Sequence, residues 1–449
     1  MRLKHLRIFP NKSDKKGLAE IGLEIYSWIT DLFPLCRSIT GQGVRDTLAY
    51  FKKIVPSLKC FSVPSGTEVF DWTVPSEWNI LDAWVKDKNG KKIIDFKDNN
   101  LHVIGYSQAF RGKVNLAELQ QHLHSLPDNP NAVPYVTSYY KKQWGFCLSD
   151  KQRKKLKPET YEVLIDSEFY NGNLDYGEIL IPGKSKKEIF ISSYICHPSM
   201  ANNELSGPGI AIALSRWIKS LKNPYYSYRI IFIPETIGSL TYLKKNIKTL
   251  KKNVSAGFNL TCIGDNRCYS FLPSRSGKTL ADKVSLNALN YIDQNFKKYN
   301  WLDRGSDERQ YCAPGIDLPL VSIMRSKYHE YSEYHSSLDD LSLISPKALQ
   351  ESFVMMQTII ESLENNYYLK AKILGEPHMS KRGLYPSLSN NSIDISVKNI
   401  MNVLTYSDGA NDLIDISNKI GVPTWKLIDI VNKLLEFDLV KVSREPDPF

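Results

Sequence analysis

The chain has 449 residues, 42% hydrophobic and 11% aromatic, which excludes a disordered protein and is too long for one ordinary domain, so two or three packed units are expected. The formal charge of +10 sits in local runs such as KQRKKLKP (151–158) and KKNIKTLKK (244–252), which read as solvated faces rather than a nucleic-acid surface. Seven scattered cysteines, an odd number without a C-x-x-C pair, exclude a disulfide framework and a zinc ribbon and read as mostly buried thiols.

The opening residues, MRLKHLRIFPNKSDKKG, are basic but lack the apolar stretch and small-residue cleavage site of a secretory signal. No later run of about 18 apolar residues could span a bilayer, so a soluble, cytoplasmic protein without membrane contact is expected. LEIYSWITDLFPL (23–35) and GVRDTLAYFKKIV (43–55) have the spacing of amphipathic helices that pack on a sheet. From about Thr67 to Ser149 the composition changes. Aromatics are dense, and AWVKDKNGKKIIDF reads as a hairpin turning on Asn89-Gly90, so a small β-rich insertion is expected here.

From Lys187 onward, short apolar runs alternate with helical patterns. IFISSYI (189–195), RIIFIP (229–234), AGFNLTCI (256–263) and LPLVSIM (318–324) lack a period-2 alternation and read as interior strands. GIAIALSRWIKSL (209–221) reads as a helix with Ser206 as its N-cap. This alternation belongs to an α/β sheet covered on both faces. After Glu376, the loop PHMSKRGLYPSLSNNS leads to NIMNVLTYSD, DLIDISNKIG, TWKLIDIVNKLLEFD and LVKVS, which together outline a winged helix. From Ile395 to the end, six basic residues face eight acids, about −2 net, which opposes phosphate attraction. Protein contact or self-contact is therefore expected of this module, not DNA.

In α/β sheets, the loops after the strand carboxyl ends build the site. Those loops carry His197 with Asn202, Asn203 and Glu204; Glu235; Asp265; Asp307 and Glu308; and His329, Glu330, Glu333, Tyr334 and His335. Two histidines, several carboxylates and a phenol at one rim suit a zinc hydrolase, which needs imidazole and carboxylate ligands and an open position. Each has a plainer reading. Glu235 could cap the helix after IPET, Asp307 and Glu308 could brace a loop, and the cluster Tyr328, Tyr331 and Tyr334 could be packing. Arg37 and Arg45 are either anion binders for a substrate carboxylate or phosphate, or surface ion pairs. Tyr139, Tyr140, Trp144 and Phe146 either wall the pocket or pack the insertion.

HPSMANNELSG, PETIGS and SDERQYCAPGIDLP with EYHSSLDD resemble the motifs of the zinc aminopeptidase superfamily, which includes bacterial leucyl aminopeptidases and glutamate carboxypeptidases. With VFDWTVPSEWNI, DNNLHVIGYS, PYVTSYYKKQWGFCLS and MRSKYHEYSEYH, the chain more closely resembles aminopeptidase-like domain proteins grouped with polysaccharide biosynthesis. That resemblance implies an α/β fold: a zinc-aminopeptidase-like mixed sheet covered by helices on both faces (1–66 and 150–376), a small β-rich inserted domain (67–149) and a C-terminal winged helix (377–449).

It also implies roles. His197 matches the first histidine ligand, His335 the last, and Tyr334 a phenol that steadies the transition-state oxyanion. The aspartate that bridges two metals falls at Asn203, a neutral and weaker donor, with Glu204 beside it able to supply a carboxylate. Relatives carry adjacent glutamates where this chain has only Glu235, and their further aspartate falls near Thr261 or Cys262. One zinc ion rather than two is expected. The expected function is a zinc-dependent amide hydrolase acting on a short peptide or an N-acylated sugar or amino acid. His197, Asn203, Glu204 and His335 serve as metal residues, Glu235 or Glu308 as general base, Tyr334 as oxyanion donor, and Arg37, Arg45 and Asp307 as substrate contacts. The rival expectation, favoured by Asn203, is a catalytically impaired scaffold or regulator that binds a partner through the winged helix.

Overall fold

The apolar runs after Lys187 become the middle of an eight-stranded mixed sheet, because strands buried on both faces have no polar side to alternate with. The structure, a computed structural model, describes residues 2–6, 15–384 and 395–449. Much of the basic opening segment, and the part of the expected linker from 385 onward, lie outside the described residues. The chain divides into two units, one of Pro10–Ala281 with Lys297–Phe353, the other of Met1–Phe9, Asp282–Phe296 and Val354–Phe449.

In the larger unit, four parallel strands lie in the order Ser227–Ile233, Glu188–Tyr194, Val254–Leu260 and Leu320–Met324. Antiparallel strands flank them on both sides, Asn173–Ile181 and Ser270–Leu272. Every residue of Glu188–Tyr194 and of Leu320–Met324 is buried. The chain leaves Glu188–Tyr194 for the neighbour on one side, through helix Ser206–Ser220. It then crosses back through helix Ile237–Asn253 to the neighbour on the other side. Right-handed crossovers in opposite directions place these two helices on opposite faces of the sheet, and they make Glu188–Tyr194 the switch point where a site opens.

Helix Ser206–Ser220 starts differently from the expectation. A π-helical turn, Ala201–Leu205, runs straight into it, so Ser206 is inside the helix and is not its N-cap. Its hydroxyl donates to the Asn202 carbonyl and accepts the Ile263 N–H at 2.9 Å, tying the turn to the next strand's loop. Gly207 is required here by close approach, since a Cβ would lie 2.2 Å from the Leu260 carbonyl oxygen.

The insertion forms its own four-stranded antiparallel sheet, Lys92–Asp95, Glu77–Lys86, Thr160–Tyr170 and Phe110–Asn115. Its central strand Thr160–Tyr170 lies past the expected bound of 149, so the β-rich segment extends to about residue 170. Its alternating burial marks one face on the small core of Val85, Val103, Phe146 and Val163, a partnership that sequence alone does not assign. The hairpin turns through Asp87–Lys91, with Gly90 at φ 79°.

In the smaller unit, helices Ile395–Thr405, Leu413–Ile420 and Thr424–Glu436 accompany a sheet of Asp408–Asp412, Tyr368–Ala371 and Val440–Ser443. Asp412 caps the second helix reciprocally with Asp415, and Gly421 ends it in the left-handed region. Among the described residues no helix is long and apolar enough to cross a membrane. None of the seven cysteines forms a disulfide.

Candidate metal centre

The four parallel strands end at one rim, and their loops deliver the chemistry. His197 follows the switch-point strand and is 4% exposed. Its Nδ1 lies 2.6 Å from Glu204 Oε2, and its Nε2 lies 3.7 Å from Glu235 Oε2. Glu204 is fully buried on the π-helical turn, while the Glu235 side chain keeps 21% exposure, so one carboxylate backs the imidazole and the other faces open space. The His335 ring centre is 5.3 Å from that of His197. Two imidazoles sharing a tetrahedral zinc at about 2.0–2.1 Å hold their ring centres roughly 5 Å apart.

The two rings are pushed in opposite directions. Burial by itself would lower His197, but the Cys196 thiol and the Glu204 carboxylate beside it hold it well above its ordinary value. Burial, followed by the neighbouring His197 and His329 rings, drives His335 down to about 2, leaving a neutral imidazole. His335 Nε2 is buried without a hydrogen-bond partner, and so are Glu204 Oε1 and Asn203 Oδ1. Three orphaned acceptors on the loops of one rim fit a bound cation. Among the described residues, the one group of three His, Cys, Asp or Glu donors within 4.8 Å of one another is Cys196, His197 and Glu204. His335 does not join that group, and Cys196 was missed by the sequence reading.

Asn203 is held by its amide nitrogen, which donates to Tyr194 Oη at 2.9 Å, so only Oδ1 is free to act. The carboxylate that shapes this turn is Asp339. It accepts the Asn202 N–H at 2.6 Å, the Asn203 N–H at 2.9 Å and the Tyr331 hydroxyl at 2.8 Å. Its backbone oxygen takes the Ala201 N–H as well. The acidic pair four residues past His335 was its only sequence signal.

Several of the expected groups are engaged inside the fold. Glu308 Oε1 accepts the Gly305 and Ser306 N–H groups and the Tyr328 hydroxyl, and Oε2 accepts from Ser322 and Asn259. Asp307 is fully buried, and Oδ1 accepts from the Thr236 N–H and the Ser239 hydroxyl, bracing the turn behind Glu235. Thr236 makes no side-chain cap on the following helix, and Glu235 points to His197 instead of capping it. Arg37 is 1% exposed and donates Nε to the His197 carbonyl at 3.0 Å and Nη1 to the Leu32 carbonyl, so it positions the histidine rather than an outside anion. Arg45 is taken up by Glu77 at 2.6 Å and Asp175 at 3.0 Å. Tyr334 stacks on the His335 ring at 3.9 Å and supports it from behind.

A cavity of about 430 Å³ opens on this centre. Cys196, His197, Glu235 and His335 line it, with Tyr135, Tyr139, Tyr140 and Trp72 from the insertion. Tyr135 touches both imidazoles, with ring centres 5.1 and 5.2 Å away, and its hydroxyl lies 2.7 Å from that of Tyr139. Arg309 is exposed at the wall. It donates to the Thr236 hydroxyl and the Ser306 carbonyl, and its charge acts on the nearby Glu235 and Asp307 carboxyls.

Residues 26–366 match a family model described as a domain of unknown function, DUF4910, and residues 366–442 match a winged helix-turn-helix model. A Clostridium acetobutylicum protein, named provisionally for polysaccharide biosynthesis with an aminopeptidase-like domain, is 41% identical over 426 residues, 94% of this chain and 97% of its own. A crystal structure from that organism, described provisionally as a peptidase, is 39% identical, with TM-score 0.90 over 96% of this chain and 100% of that one. A zinc aminopeptidase from Bacillus subtilis shares the fold at 12% identity, with TM-score 0.55 over 76% of this chain and 94% of that one. The chain therefore belongs to the DUF4910 family of aminopeptidase-like proteins, carried here with a C-terminal winged helix.

Proposed function

We propose that this protein is a single-zinc amide hydrolase with its centre at His197. The observation that carries the reading is the imidazole set between two carboxylates of unequal exposure, Glu204 behind it and Glu235 toward the cavity. His197 and Glu204 would hold the ion, with His335 and Asn203 Oδ1 offering further acceptors. One ion is preferred to a pair because the resemblance to two-metal relatives puts Asn203 at the bridging aspartate and Thr261 or Cys262 at a further carboxylate, with Glu235 alone in place of adjacent glutamates. Bound there, zinc supplies Lewis acidity toward a scissile carbonyl and acidifies water.

The chain's own groups do the rest. Glu204 Oε2 and His197 Nδ1 face one another at 2.6 Å and would share the ion between them, while the Nε2 edge of the ring faces Glu235. Glu235, raised by burial, takes a proton from the attacking water at its carboxylate and returns it to the leaving nitrogen. Tyr135, in place of Tyr334, offers the phenol on the cavity wall beside both imidazoles. Arg309 replaces Arg37 and Arg45 as the cation that seats a substrate carboxylate. The substrate is a short peptide or an N-acylated sugar or amino acid, and a place in surface polysaccharide assembly follows the name of the Clostridium relative. Cysteines without a disulfide fit a cytoplasmic setting, and the slightly acidic winged helix fits a protein partner better than DNA.

The test is hydrolysis of a panel of dipeptides, N-acetylated amino acids and N-acetylated sugars by zinc-loaded protein. Turnover that disappears in Glu235→Gln supports the hydrolase. No turnover across the panel, with full zinc occupancy, favours the scaffold reading that Asn203 motivates.

A further inference from the structure

We propose that Cys196 supplies a thiolate to the ion, making the centre a sulfur, nitrogen and oxygen donor set of Cys196, His197 and Glu204. The inference rests on the single-zinc reading and deepens it at the level of the ligands.

The three donors lie within 4.8 Å of one another and all three residues are buried. The Cys196 sulfur sits 3.5 Å from His197 Nδ1 and accepts the Glu235 N–H at 3.2 Å, a bond that favours an electron-rich sulfur. Glu204 Oε1, in the same cluster, is buried without a hydrogen bond, an acceptor that a cation satisfies. Cys196 and His197 also line the cavity, so an ion has a way in.

Charge favours a thiolate. A buried dication needs anionic ligands, and Glu204 offers one charge that Arg37 Nε, 3.9 Å from Oε1, already offsets. Asn203, Thr236 and Thr261 add none. A thiolate supplies the missing charge, and zinc accepts sulfur, nitrogen and oxygen together. Coordination takes a sulfur lone pair and releases the thiol proton to solvent; no electron changes hands.

The probe is Co²⁺ titrated into chelator-treated full-length protein, followed by X-ray absorption on the zinc-loaded wild type. The expected result is one equivalent bound with a sulfur-to-cobalt charge-transfer band in the near ultraviolet, and one sulfur among the zinc neighbours. Cys196→Ser should lose the band and bind at least ~10-fold more weakly. The absorption measurement needs no variant, so a misfolded Cys196→Ser does not decide the matter. One equivalent bound by nitrogen and oxygen alone overturns the thiolate and leaves the single-zinc reading standing. No ion bound under metal-replete conditions overturns both.

Discussion

His197 Nδ1 and Glu204 Oε2 are joined at 2.6 Å, in a turn where both side chains are buried. The carboxylate comes from a π-helical turn only seven residues downstream, so the pair is set by local chain geometry, with Asp339 holding the turn from outside.

Glu204→Gln keeps the shape and removes the charge. We expect zinc affinity to fall about 10- to 100-fold or more, the loss typical of disturbing a histidine's carboxylate partner. Isothermal titration with zinc checks it; unchanged affinity would make Glu204 a bystander.

Asp339→Ala leaves two buried backbone N–H groups and the Tyr331 hydroxyl without an acceptor. Each unsatisfied buried donor costs about 1–3 kcal/mol, so destabilisation of about 3 kcal/mol or more is expected in chemical denaturation. Asp339→Asn, which keeps the acceptor, should recover part of it.

Glu308→Gln tests the structural role. Its carboxylate is consumed by five donors inside the fold, so the change should lower the melting temperature while zinc bound per folded molecule stays constant. Loss of hydrolysis by folded, metal-loaded Glu308→Gln would return Glu308 to the chemistry.

Arg309→Gln should raise KM for substrates with a free carboxylate by about 10-fold or more, with little change for their amides, because the cation acts in binding and not in the bond-breaking step. Equal effects on acid and amide substrates would remove that assignment.

Burial and the charge of Glu235 raise Asp307 from its ordinary 3.8 to about 8. The folded chain therefore keeps a proton that the unfolded chain gives up between those values, and stability falls as pH rises through that window. Asp307→Asn cannot ionise and should flatten the melting temperature between pH 5 and 8; a slope equal to wild type would place the effect elsewhere.

Much of this architecture is legible in the sequence because fully buried parallel strands leave an uninterrupted apolar record. IFISSYI and LPLVSIM need no long-range partner to be recognised. The strand Thr160–Tyr170 also alternates, but which sheet it joins depends on pairing with Glu77–Lys86, a relationship no local pattern carries. At the site, His197 and Glu235 follow strand ends and are found by position. For Arg37, Arg45 and Glu308 the sequence left two readings open, because a polar side chain near a site in sequence discloses neither its burial nor its partners. Cys196 and Tyr135 escaped notice for the converse reason: a thiol in an apolar run and a tyrosine in an insertion look like packing until the fold places them against His197.

The most direct measurement is diffraction from crystals grown with zinc, recorded on both sides of the zinc absorption edge. The account predicts one anomalous peak, in contact with His197 and Glu204. Two peaks bridged at the Asn203 turn, or none at His197 with zinc in excess, would contradict it.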